Sequence, residues 1–283
     1  MRISLVVATV GRTAELERLL CSLTQQTHRD FEVIVVDQNP DDRLVTAMSL
    51  YSRFFDLIHQ RAPHRGVSRA RNLGASFARG EILAFPDDDC WYGPQVLYRV
   101  TSFFEGAPDY AGLTGCAVDR EGSPSKGRWD IHAGEINKFN EWARTVEFAI
   151  FLRRTVFERA GGFDENIGPG AGTPWGACEG DDLVLRVLSI AYRIYYDPAL
   201  KVFHEDARES ESNESVYLLR ARAYARGMGR VMRMHNYPWW FVCYYCMRSL
   251  GGATHAFLVG NQFSARYFIA TFKGRVEGWF GKH

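Results

Sequence analysis

The 283-residue chain has no apolar run long enough to cross a bilayer. Its most apolar stretch, "YPWWFVCYYCM" (237–247), ends at Arg248, well short of the roughly 20 residues a spanning helix needs. The N-terminal run in "MRISLVVATVGR" is too brief for a secretory signal and carries no small-residue cleavage pattern, so a cytosolic-side protein is expected. Cysteine is sparse and scattered: Cys21, Cys90, Cys116, Cys178, Cys243 and Cys246. Only Cys243 and Cys246 form a C-x-x-C, with no second pair to complete a zinc site, and all six are read as reduced thiols. There is no internal repeat. There is also no G-x-G-x-x-G fingerprint and no P-loop, which excludes a phosphate held in a glycine cradle. At 46% hydrophobic and 24% charged residues, the composition excludes a disordered chain.

Net charge is nearly absent, at +1, but the balance hides an asymmetry. Residues 216–283 hold ten Lys/Arg against one acid, Glu277, leaving 24 Lys/Arg against 32 acids in residues 1–215. An acidic body carries a basic tail, a pattern suited to an anionic surface.

The first hundred residues alternate between two periodicities. "ISLVVAT" (3–9), "FEVIVVDQ" (31–38), "DLIHQRA" (56–62) and "EILAFP" (81–86) read as strands, the continuous β-branched runs among them as strands buried on both faces. Between them, 15–26, 41–54, 68–78 and 94–105 have helical spacing. This order predicts parallel strands with crossover helices, a Rossmann-like α/β sheet whose ligands bind at the carboxyl ends of the strands. Further on, 110–119 reads as a strand, 140–163 as a strand-like "FAIFLRR" with a helix start, 181–192 as a helix, and "RIYYDPALKVFH" (193–204) as strand, turn, strand. Two domains are expected: residues 1–214, with a nucleotide-binding half of about 1–107 and an acceptor half of 108–214, and a helical basic-aromatic extension at 215–283.

Three consecutive carboxylates, Asp87, Asp88 and Asp89, follow the strand at 81–86. Like charges this close repel unless a cation lies between them. Extended backbone would put Asp87 and Asp89 on one side and Asp88 on the other. Mg2+ or Mn2+, held by carboxylates and a diphosphate, fits that demand; a solvated acidic turn ahead of a helix is the alternative. Asp37 ends the second strand, where an acid can accept from a ribose or base, and Thr9 opens "TVGR" at the end of the first. His204 closes "LKVFH" within reach of a metal or diphosphate, or as a packed histidine. Trp175, in the glycine-rich stretch 168–178, is a candidate to stack on an acceptor sugar, or a loop-packing residue.

The ordered motifs "ISLVVATVGR", "FEVIVVDQN", "GVSRARNLGASFARGEILAFPDDD", "ERAGGFDE" and "EGDDLVLRVLSIAYRIYYDP" resemble those of family 2 glycosyltransferases with the GT-A fold, over residues 2 to about 205. The resemblance implies an inverting, metal-dependent transfer of a sugar from a nucleoside-diphosphate sugar to a glycan or lipid-linked hydroxyl. It implies a D-x-D motif at Asp87–Asp89 that holds the metal and the donor diphosphate, with Asp89 the direct metal ligand, Asp87 and Asp88 among the donor-binding residues, Asp37 and Thr9 around the nucleoside, and Arg71 near the diphosphate or tying helix to sheet. The family's usual Glu-Asp pair before an Asp-Leu falls on Glu179 and Gly180, so the usual base position holds glycine. Glu179 and Asp181 are rival bases, Glu179 favoured. The tail suits a peripheral contact on the inner face of the plasma membrane, or a helical subdomain packed on the body; no nucleic acid is expected. A sugar-1-phosphate nucleotidyltransferase would need a glycine- and arginine-rich loop that "ATVGRTAEL" lacks, and an inactive nucleotide- or glycan-binding relative would not need these acids.

Overall fold

The structure is a computed structural model and describes residues 1–62, 64–205 and 213–281; Lys282, counted in the basic tail, lies outside them. The chain runs β1 (Ile3–Thr9), α1 (Ala14–Thr24), β2 (Phe31–Asp37), α2 (Val45–Tyr51), β3 (Asp56–Arg61), α3 (Val67–Ser76), β4 (Ile82–Ala84), β5 (Cys90–Tyr92), α4 (Val96–Gly106), β6 (Tyr110–Val118) and β7 (Gly134–Glu135). Then come two 3-10 turns, Glu141–Ala143 and Glu147–Ala149, β8 (Ile150–Arg153), α5 (Arg154–Arg159), α6 (Glu179–Ser189) and β9 (Arg193–His204). Three long helices close the chain: α7 (Glu214–Met234), α8 (Trp239–Leu258) and α9 (Gln262–Phe280).

The strands form one sheet in the order β3-β2-β1-β4-β8-β6-β9-β5, with β7 also on β9. β1, β2, β3, β4, β6 and β9 run one way, and β5, β7 and β8 run against them. The sheet is mostly parallel in a mixed α/β fold, as the alternation of periods predicts. β1 shows why: Ile3, Leu5 and Val7 face a cluster built with α1 and α4, while Val6 faces a second cluster built with α3 and α6. A strand covered on both faces needs an unbroken apolar run.

Two strands differ from the sequence reading. β5 is three residues long and follows the acidic turn directly, too short to show a period. β9 is one continuous strand across Asp197 and Pro198, and its pairing with β6 absorbs the interruption as a bulge between Thr114 and Cys116.

The tail packs on the body. Trp175, Ile167 and Leu185 share a third apolar cluster with Met228, Val231 and Met232 of α7 and Phe241 and Val242 of α8. His235 meets Asp182 at 2.8 Å, and Lys138 Nζ donates to the His235 carbonyl at 2.6 Å. α7 and α9 approach so closely that a Cβ on Gly274 would lie 2.3 Å from the Arg222 carbonyl oxygen, and one on Gly278 2.1 Å from that of Arg226. Among the described residues no helix is long and apolar enough to cross a membrane.

Candidate active site

The carboxyl ends of the parallel strands bring the site together. Thr9 pairs with Asp37 across β1 and β2, and Asp37 with Arg61 across β2 and β3. β4 ends shortly before Asp87, and Asp87 to Cys90 form a turn closed by the Cys90 N–H donating to the Asp87 carbonyl at 3.2 Å.

Within this turn the three acids part company. Asp88 is buried: Thr9 Oγ1 donates to it at 2.7 Å and Arg12 at 2.5 Å, while burial lifts its pKa to about 6. Asp89 lies 2.8 Å from Arg12 and 3.0 Å from His204 Nε2. Burial works against its charge, but the contacts with His204 and Arg12 outweigh it and hold Asp89 at about 2. Asp87 receives Arg71 at 2.7 Å.

Asp87, Asp89 and His204 each offer one ligand atom, and those atoms lie within 4.8 Å of one another. His204 Nδ1 sits 2.7 Å from the Glu205 carbonyl, so it carries hydrogen and donates there. In a neutral imidazole this leaves the Nε2 lone pair facing the Asp89 oxygen, an arrangement that needs a cation between them, proton or metal. A donor set of two carboxylates and one imidazole at a sheet's ligand edge fits a divalent ion.

Arg71, 2% exposed, joins this turn to a second group of acids. It donates to Asp87 through one terminal nitrogen and to Glu179 Oε1 through the other, at 2.9 Å, with the Phe163 ring 5.3 Å away. Glu179 opens α6 and is buried; its pKa is raised by burial against the opposing charge of Arg71. The preceding residue, Cys178, is held at φ +76 in the left-handed region, a strained conformation for a side chain with a Cβ. Burial opposes the charge of Asp181, and Glu141 and Cys178 influence it. Glu141 is fully enclosed, and neither of its oxygens has a hydrogen-bond donor within reach among the described residues. A carboxyl in that setting keeps its proton, its pKa raised by burial and then by neighbouring Asp181. Glu147 is half-buried nearby, its pKa pushed up by burial and by the charges of Glu179 and Asp181.

Other predicted residues are placed as follows. Asp37 is buried and its oxygens are taken by Asn39 N–H at 2.9 Å, Asn39 Nδ2 at 2.8 Å and His59 at 2.9 Å. Trp175 is buried in the third cluster with the Arg230 guanidinium 5.3 Å from its ring centre, an inward packing position. Arg12, Glu141 and Glu147 do not stand out in the sequence. Arg12 is visible there only as the end of "TVGR", and the two glutamates lie in irregular segments with no motif to mark them.

A sequence profile described as "Glycosyl transferase family 2" matches residues 4–163. An uncharacterized glycosyltransferase of Haemophilus influenzae is 37% identical over 107 residues, 38% of this chain and 36% of the relative. Validoxylamine A glucosyltransferase of Streptomyces hygroscopicus subsp. jinggangensis is 33% identical over 266 residues, 79% of this chain and 60% of the relative. The chain spans less than two thirds of the length of the curated relatives it matches, 29% in one and 60% in another. The crystal structure of S. aureus TarS 1–349 superposes with a TM-score of 0.63 at 16% identity, covering 100% of this chain and 93% of that one. Mannosyltransferase PcManGT of Pyrobaculum calidifontis, in complex with GDP-Man and Mn2+, gives 0.68 at 15% identity, covering 99% and 88%. At such identities the structural likeness speaks for the fold.

Proposed function

The chain belongs to glycosyl transferase family 2, and on that premise we propose that it moves a sugar, with inversion, from a nucleoside-diphosphate sugar to a hydroxyl of a glycan or lipid-linked acceptor. The observation that carries this reading is the convergence of Asp87, Asp89 and His204 at the sheet's ligand edge, tied through buried Arg71 to the acids around α6. Two proteins of the same fold support the donor class: a structure of TarS is in complex with UDP-GlcNAc, and PcManGT is in complex with GDP-Man and Mn2+.

Asp87, Asp89 and His204 would hold a Mn2+ or Mg2+ ion, and the imidazole nitrogen favours Mn2+, the softer of the two. An ion held there would supply neutralisation of charge on a departing diphosphate. Arg71 sets the angle of Asp87 and cannot drift, because Glu179 holds its other nitrogen. Thr9 and Arg12 hold Asp88 away from the ligand set. Asp37 orders the rim around the nucleoside through Asn39 and His59. A carboxylate beside the first turn of α6 takes the acceptor proton. Calorimetry with UDP-glucose, UDP-GlcNAc and GDP-mannose, with and without Mn2+, tests the reading together with release of nucleoside diphosphate. Metal-dependent binding and turnover of one donor are expected; neither for any of them sinks it.

The same reading places the protein peripherally on the inner face of the plasma membrane. Trp239 is 73% exposed, and Trp240, Tyr244, Met247, Phe257 and Leu258 are exposed along α8 or at its end. A helix with interfacial aromatics on its open side and Arg248 among them suits an anionic bilayer. Four arginines of α7 are engaged within the tail and body instead: Arg222 and Arg226 pair with Glu277, Arg230 covers Trp175, and exposed Arg233 covers Trp279. Sedimentation with phosphatidylglycerol vesicles should pull the protein down, and W239A/W240A should weaken that several-fold with turnover unchanged. A protein that stays in the supernatant defeats this placement.

A further inference from the structure

Gly180 lies in the first turn of α6 without a positive φ, so its backbone does not call for glycine, which costs about 1 kcal/mol against alanine in a helix. The reason for glycine is space. A Cβ there would stand 2.5 Å from Glu147 Cγ, 3.2 Å from Glu147 Cδ and 3.2 Å from Ile150 Cδ1. The volume that a side chain at 180 would fill is taken by the carboxyl arm of Glu147, which arrives from the 3-10 turn ahead of β8.

We propose that Glu147 is the general base of the transfer, delivered across to α6 into the space that Gly180 leaves open. This rests on the glycosyltransferase reading and assigns a residue within it. Glu179 is occupied: Oε1 accepts from Arg71, and the residue is buried. Asp181 has its charge opposed by burial and influenced by Glu141 and Cys178. Glu147 is half-buried and feels Arg71 as a neighbouring charge. Its pKa is pushed upward, the direction a base working near neutrality needs. The next residue fixes its position, since the Phe148 ring lies 4.9 Å from that of His204 and the Phe148 carbonyl accepts from Tyr92 at 3.0 Å. In the step itself, Glu147 takes the acceptor's O–H proton as that oxygen bonds to the anomeric carbon. The carbon's bond to the diphosphate oxygen breaks, and its electron pair leaves with the nucleoside diphosphate. Glu179 is then a positioning residue for Arg71.

The test is a swap, read as nucleoside diphosphate released from UDP-glucose, UDP-GlcNAc or GDP-mannose with Mn2+, alongside calorimetric binding of the Mn2+–nucleotide. E147Q and E147A should lower turnover roughly 10²–10⁴-fold and leave binding within about threefold. G180D alone should also fall, because the introduced carboxylate and Glu147 compete for one volume. E147A/G180D, with the carboxylate restored from the helix side, should recover at least about tenfold over E147A. Wild-type turnover in E147Q overturns the proposal, as does a double variant no better than E147A. A wild-type protein that neither binds nor turns over any of the three donors overturns the transferase reading itself, a result seen before any residue is changed.

Discussion

The acidic turn at Asp87–Asp89 and the acidic group around the first turn of α6 are built in opposite ways. In the turn, three charges adjacent in sequence are each given a cationic partner: Arg71 for Asp87, Arg12 (with Thr9) for Asp88, and His204 with the shared Arg12 for Asp89. In the second group, Glu141, Glu147, Glu179 and Asp181 come from different segments, and burial and then one another's charge raise their pKa values, with Arg71 bound to Glu179 and felt by Glu147. The first arrangement keeps Asp89 charged in acid, at about 2, whereas all four acids of the second have raised pKa values. Neighbours in sequence that are each matched by opposing charge make a place for a cation. Strangers in sequence that are crowded together with little opposing charge make a place for a proton.

The contrast breaks most severely at the residue common to both. R71M leaves Asp87 and Glu179 without their buried partner and should cost roughly 3–5 kcal/mol, measured by urea unfolding. Unchanged stability would mean that the two groups are independent. The next effect separates them by sign. Asp89's folded pKa lies below its unfolded one, so its contribution is present above about pH 4 and is lost as pH falls towards 2. In EDTA, D89N should be less stable than wild type by about 2 kcal/mol at pH 7, and the gap should close on acidification. Glu141 runs the other way. Its folded pKa is raised, so its contribution is complete below the ordinary glutamate value of about 4.3 and is lost as pH climbs. E141Q should therefore gain on wild type, by on the order of 1 kcal/mol, between about pH 5 and pH 8. Parallel pH profiles for the two variants would remove the distinction.

Legibility in the sequence follows the same division. β1 and β2 could be read because burial on both faces writes an unbroken apolar run, and the acidic turn because its charges are consecutive. β5 could not, since three residues behind a turn show no period. Glu141 and Glu147 could not, because what defines them is contact with α6, a distant segment of the chain. Gly180 was visible as a departure from the usual spelling, but what fills its space is a fact of packing alone. The helical, basic character of 215–283 was legible in composition; it did not disclose that Glu277, Trp175 and Trp279 engage the arginines of α7.

The glycines of α7 have a mechanical consequence. A Cβ on Gly227 would lie 2.2 Å from the Ala177 carbonyl oxygen, so the helix rests directly on the backbone that leads into strained Cys178 and then Glu179. Gly274 and Gly278 seat α9 just as tightly on the far side of α7. The three closing helices thus act as a backstop. They change composition at residue 215 without interrupting the packing, and a chain cut there would lose the wall that holds the head of α6 in place.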